Sequence, residues 1–270
     1  MFKAIGFQCG QFGDLIMSQP LCRTVKKIYP NCEFTLGIGN KFREAAGIFQ
    51  GNKSIDRIHI WDSYDDFPQG RDVDYLKQEK FDIIYHPNPT IKDELWFRHK
   101  YIIDEWRNCY ELPPDDNTIK LNFPRKNYSE YSDHVALSLF SWFDNSPKSL
   151  TWEQIQEINN FLLQKGYKTL QIGLPSEKNI GTTSRFIGNY TESASAILSC
   201  KFLISIDTSY VWLASAFNFP TLGLFGFKMF DMANTSKNWQ AINTNATYIE
   251  ADKASNIKIE DIHSNILNYL

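Results

Sequence analysis

Short apolar runs alternate with amphipathic segments along the first part of the chain. Runs typical of buried strands cover residues 2–8, 33–38, 55–61 and 81–85. Residues 14–28 carry apolar side chains on or near one face of a helix, which Pro20 would kink and Pro30 would end. Because strands that alternate with helices form parallel sheets with crossover connections, the pattern predicts an α/β fold.

The same alternation restarts after a break in the pattern. Residues 111–133 contain three prolines, two adjacent aspartates and little periodicity, which is typical of a boundary between domains. Beyond this segment, we expect strands at 135–140, 168–172, 202–206 and 221–225, and helices at 151–165, 192–199, 210–217 and 257–270. Thr151 and Gln154 have the spacing of a capping box, and Gly166 follows the same helix. The sequence thus predicts two α/β domains of shared architecture, residues 1–125 and 126–270.

Composition and charge argue against several classes of protein. The net charge is −3, whereas a protein that binds nucleic acid normally has a basic face. No apolar stretch approaches the roughly 20 residues that a membrane-spanning helix needs, and the chain starts with a strand-like run rather than a signal-peptide layout. Five cysteines without CxxC spacing suggest neither a disulfide framework nor a zinc site. We therefore expect a cytoplasmic protein with no nucleic-acid partner, no metal site and at most peripheral membrane contact.

Three glycines surround the first strand and the start of the first helix. Gly6, Gly10 and Gly13 are not spaced as GxGxxG, and no acidic residue ends the second predicted strand. A dinucleotide-binding fold needs both features, so the pattern disfavours a nicotinamide cofactor. Asp14 stands at the start of the helix. Two hypotheses remain open for it: a helix-start carboxylate favoured by the helix dipole, and a general base.

A hydroxyl-rich turn follows the predicted strand at 202–206. Asp207, Thr208 and Ser209 stand between this strand and the next helix. Backbone N–H groups at a helix start bind anions, and the carboxyl ends of parallel strands form the ligand-binding crevice of open α/β sheets. The turn is therefore either an anion site or a helix N-cap without a ligand.

Two more loops follow strands of the same predicted sheet. Ser141 and Lys148 lie after the strand at 135–140, and Gly173 and Glu177 follow the strand at 168–172. Lys148 is either a solvated lysine or a phosphate ligand, and Glu177 either starts a helix or accepts hydrogen bonds from ribose hydroxyls. All three loops lie on one side of one sheet, where together they would suit a nucleotide diphosphate.

Taken in chain order, these segments resemble the family 9 glycosyltransferases, the bacterial heptosyltransferase family. The family's N-terminal signature is similar to Gly13-Asp14-Leu-Ile-Met-Ser-Gln-Pro20, and its KxWPxE loop to Lys148-Ser-Leu-Thr-x-Glu153. A third motif, GGP or GAP with an acid, is similar to Gly173-Leu-Pro175-Ser-Glu177. The most specific signature, D[ST]GxxHLA followed by P and FG, is similar to Asp207-Thr208-Ser209-x-x-Trp212-Leu-Ala214 with Pro220 and Phe225-Gly226. Here Ser209 replaces the usual Gly, and Trp212 replaces the usual His.

The resemblance implies a GT-B fold, in which two Rossmann-like domains face each other across a cleft. It also implies inverting, metal-independent and cofactor-free transfer of a heptose or another hexose-like sugar from a nucleotide-diphosphate donor to a saccharide or glycolipid hydroxyl. The N-terminal domain would take the acceptor, with Asp14 as general base and with Gly13, His86 and Lys92 on the acceptor side. The C-terminal domain would hold the donor through Ser141, Lys148, Gly173, Glu177, Asp207, Thr208, Ser209 and Trp212.

Individual roles follow from the same resemblance. Lys148 would hold the donor diphosphate together with Thr208 and Ser209, and Glu177 would bind the nucleotide ribose. Two alternatives stay open. One is a nucleotide-sugar-modifying or NAD-type enzyme, against which the missing GxGxxG counts. The other is a nucleotide- or sugar-binding descendant that has lost activity, which Trp212 in place of His keeps open.

Overall fold

Two parallel sheets, one in each half of the chain, organise the protein. The structure is a computed structural model, and it describes residues 1–7, 11–62, 71–85, 101–141, 146–226 and 238–270. The chain divides into two compact units, Met1–Pro124 and Arg125–Leu270. The acceptor and donor roles that the resemblance implies for the two halves stay predictions.

The N-terminal unit is built on a sheet of parallel strands. The described strands are β1 (Lys3–Phe7), β2 (Glu33–Gly39), β3 (Arg57–Trp61) and β4 (Ile83–Tyr85), in the order β3-β2-β1-β4. The described helices are α1 (Phe12–Met17), α2 (Gln19–Ile28), α3 (Arg71–Glu79) and α4 (Ile102–Cys109), with a 3₁₀ segment at Asn40–Phe49. Residues 4–6 of β1 and 34–38 of β2 are buried, as expected for central strands of a parallel sheet covered on both faces.

The predicted single helix at 14–28 is wrong, because the structure has two helices there. α1 ends at Met17, and α2 begins at Gln19 with Pro20 in its first turn. A proline lacks the N–H that has no partner in a first turn anyway, so Pro20 starts a helix instead of kinking one. Ser18 separates the two helices, and its hydroxyl donates to the carbonyl of Leu15 at 2.7 Å.

The C-terminal unit holds a larger parallel sheet. Its described strands are β5 (His134–Ser138), β6 (Lys168–Ile172), β7 (Ser184–Phe186), β8 (Phe202–Ile206), β9 (Thr221–Gly226) and β10 (Ala246–Ala251), in the order β10-β9-β8-β5-β6-β7. The described helices are α5 (Trp152–Gln164), α6 (Tyr190–Ile197), α7 (Ser209–Ala216) and α8 (Ile259–Leu267), and 3₁₀ turns cover Ser129–Tyr131 and Ala254–Asn256. Of the helices in the described part of the chain, none is long and apolar enough to span a membrane.

Alternate residues of the central strands pack against helices on opposite faces of this sheet. Val135 and Leu137 of β5 belong to a core cluster with α5 and α8, whereas Ala136 belongs to a second cluster with α6 and α7. This follows from the two-residue period of a strand. The predicted capping box at the start of α5 is confirmed, since the side chains of Thr151 and Gln154 each bond the other's backbone N–H.

Strands β7 and β10 were not predicted from the sequence. They lie at the two edges of the sheet, and β10 is only half-buried along its whole length. An edge strand buries less apolar surface than a central one, so it lacks the strongly apolar run that identified β5, β8 and β9.

The segment predicted as a domain boundary is tied to the N-terminal unit. Arg107, which is only 1% exposed, donates from Nη2 to the Asp116 carbonyl at 2.7 Å, and Arg23 donates to the Thr118 carbonyl at 2.8 Å. Lys27 pairs with the Asp115 carboxylate. These bonds fix residues 115–118 on the unit that precedes them, and the chain passes to the second unit after Pro124.

Candidate active site

Three loops of the C-terminal unit follow strands that are neighbours in its sheet. They are the loops after β8, β5 and β6, and these strands lie side by side in that order. Since all the strands are parallel, their carboxyl ends share one edge of the sheet, where ligands bind in open α/β folds. We call this edge the carboxyl edge. It carries Ser141, Lys148, Gly173, Glu177, Asp207, Thr208 and Ser209, the predicted donor residues other than Trp212.

An ion pair joins two of these loops. The ammonium Nζ of Lys148 lies 2.5 Å from Oδ2 of Asp207, and both side chains are mostly buried, with 22% and 14% exposed. Ser146 accepts a hydrogen bond from the backbone N–H of Lys148 at 3.2 Å. The carboxylate therefore sets where the ammonium stands, directly in front of the turn that starts α7.

The turn that starts α7 has its hydroxyls engaged within the unit. The Thr208 hydroxyl caps α7 by accepting from the backbone N–H of Tyr210 at 3.3 Å, and it also lies 2.9 Å from the Ser205 hydroxyl. The Ser209 side chain interacts with Tyr190, whose pKa burial raises well above its usual range. The N-cap hypothesis thus describes Thr208, and an anion at this turn would rely on backbone N–H groups.

Trp212 is buried. It is the fourth residue of α7 and is 3% exposed. Contact between Trp212 and a donor stays a prediction.

Glu177 folds back over Gly173 in the loop after β6. A Cβ atom at position 173 would lie 1.7 Å from Oε2 of Glu177, so only glycine leaves room for the carboxylate. Burial raises the pKa of Glu177, while the Leu174 backbone and the Arg185 charge act in the opposite direction. Among the described residues, Oε2 is buried and has no hydrogen-bond partner. A buried acceptor without a donor costs stability, and a ligand hydroxyl would satisfy it.

Asp14 is the candidate base of the N-terminal unit. It lies in the first turn of α1, and its Oδ2 accepts a hydrogen bond from the backbone N–H of Gln11 at 2.6 Å. This contact is what the helix-start hypothesis requires, and the side chain remains half-buried rather than enclosed. The role of Asp14 and of its neighbour Gly13 in catalysis stays a prediction. His86 and Lys92, predicted on the acceptor side, lie outside the described residues.

Two further residues shape the carboxyl edge, and the sequence motifs assigned neither of them a role in the site. Arg185 on β7 donates from Nη2 to the carbonyls of Leu174 and Glu177, each at 2.7 Å. Gly226 ends β9 so close to the Lys148 loop that a Cβ atom there would lie 1.9 Å from the Pro147 carbonyl oxygen. Gly226 belongs to the Phe225-Gly226 motif, but its packing partner is visible only in three dimensions.

Comparison with known proteins places the fold. No protein-family model and no curated protein sequence matches the chain. A family 9 glycosyl transferase from Veillonella parvula has the same fold, with a TM-score of 0.74 over 99% of this chain and 97% of that chain, at 14% identity. This chain has the fold of the family 9 glycosyltransferases. The predicted GT-B class of two Rossmann-like α/β units is thereby confirmed.

Two structures from Escherichia coli show the same similarity. ADP-heptose LPS heptosyltransferase II matches with a TM-score of 0.73 at 13% identity, over 99% of this chain and 98% of that one. Heptosyltransferase WaaC, solved with ADP, matches with a TM-score of 0.65 at 11% identity, over the full length of both chains. The TM-scores show that the fold is shared. At identities of 11–14%, the chemistry has to be argued from the residues of this chain.

Proposed function

We propose that this protein is a glycosyltransferase that moves a sugar from a nucleotide-diphosphate donor to a hydroxyl group of a saccharide or glycolipid. The observation that carries the proposal is the carboxyl edge of the C-terminal unit. A buried ammonium, a helix start and a desolvated carboxylate stand there, in a chain with the fold of the family 9 enzymes. The sugar transferred would be a heptose or another hexose-like sugar. We also propose that the protein is cytoplasmic.

The donor would bind through its two polar parts. Lys148 and the backbone N–H groups at the start of α7 would contact the diphosphate, whose negative charge grows as the bond to the sugar breaks. Glu177 would accept hydrogen bonds from the ribose hydroxyls, which would give a donor to its Oε2, an atom without a hydrogen-bond partner among the described residues. Since the Asp207 carboxylate pairs with Lys148, it would orient the ammonium toward the diphosphate.

The transfer itself would be a direct displacement. Asp14 would take the proton from the acceptor hydroxyl while the oxygen attacks the anomeric carbon. The bond between that carbon and the diphosphate oxygen would break, so the nucleoside diphosphate leaves and the anomeric configuration inverts. No metal and no cofactor enter this proposed scheme, because Lys148 and the α7 N–H groups supply the positive charge.

Binding and turnover together test the proposal. Titration of the intact protein with ADP, UDP, GDP and CDP should raise its melting temperature for at least one of them. A ligand at a hundredfold its Kd adds about 2.7 kcal/mol of stability. The matching nucleotide sugars should then be consumed in the presence of an acceptor, equally with and without EDTA. A protein that binds none of the diphosphates and consumes none of the sugars is not the enzyme proposed.

A second candidate is a nucleotide-binding descendant without turnover. Trp212 favours it, because the buried indole stands where the family 9 signature has a histidine. This candidate predicts nucleoside diphosphate binding of normal strength with no consumption of any nucleotide sugar. Sugar transfer at a rate above that of an Asp14→Asn variant would eliminate it.

A further inference from the structure

The turn that carries Glu177 is held from one side by a single guanidinium group. Nη2 of Arg185 donates to the carbonyls of Leu174 and Glu177 at 2.7 Å, and it lies 3.4 Å from the Pro175 carbonyl. Arg185 stands on β7, directly opposite Gln171 of β6, so it is placed by the ladder of the sheet and not by the turn. The turn is thereby fastened to a neighbouring strand.

The rest of the loop is held independently of Arg185. Gln156 and Asn159 of α5 both donate to the Ile180 carbonyl, at 3.0 and 3.2 Å, and Gln171 donates to the Lys178 carbonyl at 3.0 Å. Loss of the guanidinium would therefore release residues 174–177 and leave residues 178–181 in place. The last of these four residues is Glu177, whose carboxylate lies over Gly173.

The position of the carboxylate depends on this fastening. Arg185 bonds the backbone of Glu177 and not its carboxylate, yet its charge favours the ionised form of that group. The carboxylate is packed against Gly173 with its Oε2 buried and, within the described ranges, without a hydrogen-bond partner. A turn free to move would swing this desolvated group out into water, because hydration stabilises a carboxylate more than an unpaired buried site does.

We infer that Arg185 is a positioning residue that holds the turn at 174–177 so that the Glu177 carboxylate is ready to accept hydrogen bonds from the ribose hydroxyls of the donor. The inference rests on the proposed function and adds a residue to it. Because Arg185 holds the backbone of the turn, we expect its effect on binding to pass through Glu177.

A pair of ligands distinguishes a role of Arg185 in positioning Glu177 from a general role in stabilising the fold. ADP, UDP and GDP are each compared with their 2′,3′-dideoxy forms, and the ratio of the two Kd values measures what the ribose hydroxyls contribute. Hydrogen bonds to a charged acceptor are worth enough to make this ratio about tenfold or more in the wild type. Arg185→Met should bring the ratio close to one by weakening the ribose form, while the Kd of the dideoxy form stays unchanged. Arg185→Lys keeps the charge but not the fork of donors, so it should give an intermediate ratio.

A double variant shows whether the effect passes through Glu177. Glu177→Ala should bring the ratio close to one by itself, and adding Arg185→Met to it should lower the ratio no further, because both changes remove the same interaction. Arg125→Met is the matched control. Arg125 is an exposed arginine of the same unit that stacks over Phe217, and its removal should leave the ratio as in the wild type.

The possible failures are distinguishable. A wild-type protein that binds no nucleoside diphosphate contradicts the proposed function itself. A wild type that binds but does not discriminate ribose from dideoxyribose overturns the inference, as does an Arg185→Met variant that keeps the wild-type ratio or weakens both ligands equally. If Arg185→Met does not fold, the Arg185→Lys variant decides, and an unchanged ratio there counts against the inference.

Discussion

The Lys148 ammonium and the Asp207 carboxylate lie 2.5 Å apart and join the loop after β5 to the end of β8. Both groups are largely withdrawn from water, so each depends on the other for its charge to be tolerated. In the proposed complex the lysine keeps this neighbour and also faces the donor phosphates. The aspartate then acts as the group that orients the cation.

Replacement of this lysine tests the phosphate contact. Lys148→Met should weaken nucleoside diphosphate binding by about tenfold to a hundredfold, since a charge-assisted hydrogen bond is lost. Affinity for the corresponding nucleoside, which has no phosphate, should not change. Isothermal titration of both ligands measures the two effects. Lys168→Met is the control, because Lys168 makes a similar pair with Asp133, at 2.8 Å, at the opposite end of the sheet. Equal losses in the two variants would contradict the assignment.

Gly226 should be essential for the position of the Lys148 loop. The Pro147 carbonyl accepts a hydrogen bond from the Ala254 N–H at 2.7 Å, and a Cβ atom at 226 would collide with both groups. Gly226→Ala should therefore push the loop away and lower diphosphate affinity by about tenfold, by analogy with the loss of one charged contact. The measurement is the same pair of titrations, with diphosphate and nucleoside.

Gly223→Ala is the matched control for this prediction. Gly223 lies on the same strand, but the atoms nearest to a Cβ atom there belong to the Tyr248 and Phe225 rings. Both variants should melt earlier than the wild type, and only Gly226→Ala should lose affinity selectively for the diphosphate. Loss of affinity in proportion to loss of stability in both variants would show that Gly226 has no special role.

The assignment of Asp14 as base depends on turnover. Asp14→Asn should lower the rate of sugar transfer by about 10²–10⁴, because the proton acceptor is gone. Nucleoside diphosphate affinity should stay within twofold, roughly, since the donor groups lie in the other unit. The asparagine side chain still accepts from the Gln11 N–H, so folding should suffer little. Wild-type turnover in this variant would leave Asp14 with its helix-start role alone.

Glu177 should make stability depend on pH in a particular direction. Burial raises its pKa above the usual 4.5, so the folded state holds this proton more tightly than the unfolded chain. The carboxylate therefore costs no stability below pH 4.5, and the cost appears as the pH rises through the folded pKa. Glu177→Gln should melt later than the wild type at pH 7–8, and this advantage should shrink as the pH falls toward 4.5.

Two comparisons check this prediction. Glu130→Gln, at an exposed position, should change the melting temperature little at any of these pH values. The Glu177→Gln protein should at the same time show a smaller preference for ribose over dideoxyribose, because an amide oxygen accepts a weaker hydrogen bond than a carboxylate. If the buried Glu177 carboxylate lowers stability but serves binding, its replacement should give a protein that is more stable and less selective. A lower melting temperature for Glu177→Gln at pH 8 would show that the carboxylate stabilises the fold.

The fold class and most of the helices and strands could be predicted from the sequence alone. Strands β2, β5, β8 and β9 and helix α5 were predicted within a few residues, because a buried strand needs an apolar run and a capping box is a local interaction. The same information failed for α1 and α2, where the effect of Pro20 depends on where the preceding helix stops. It failed also for the edge strands β7 and β10, which bury too little surface to leave a pattern.

The candidate site shows the same division. Sequence motifs named Lys148, Glu177 and Asp207 as candidates, each from its place after a strand. Three contacts could be seen only in the folded protein: Lys148 pairs with Asp207, Arg185 holds the Glu177 turn, and Gly226 leaves room for the Pro147 backbone. These contacts join residues that are far apart along the chain, and the strand order β9-β8-β5-β6-β7 brings them together. Strand order depends on how the faces of the sheet pack against the helices. It cannot be predicted from local sequence patterns.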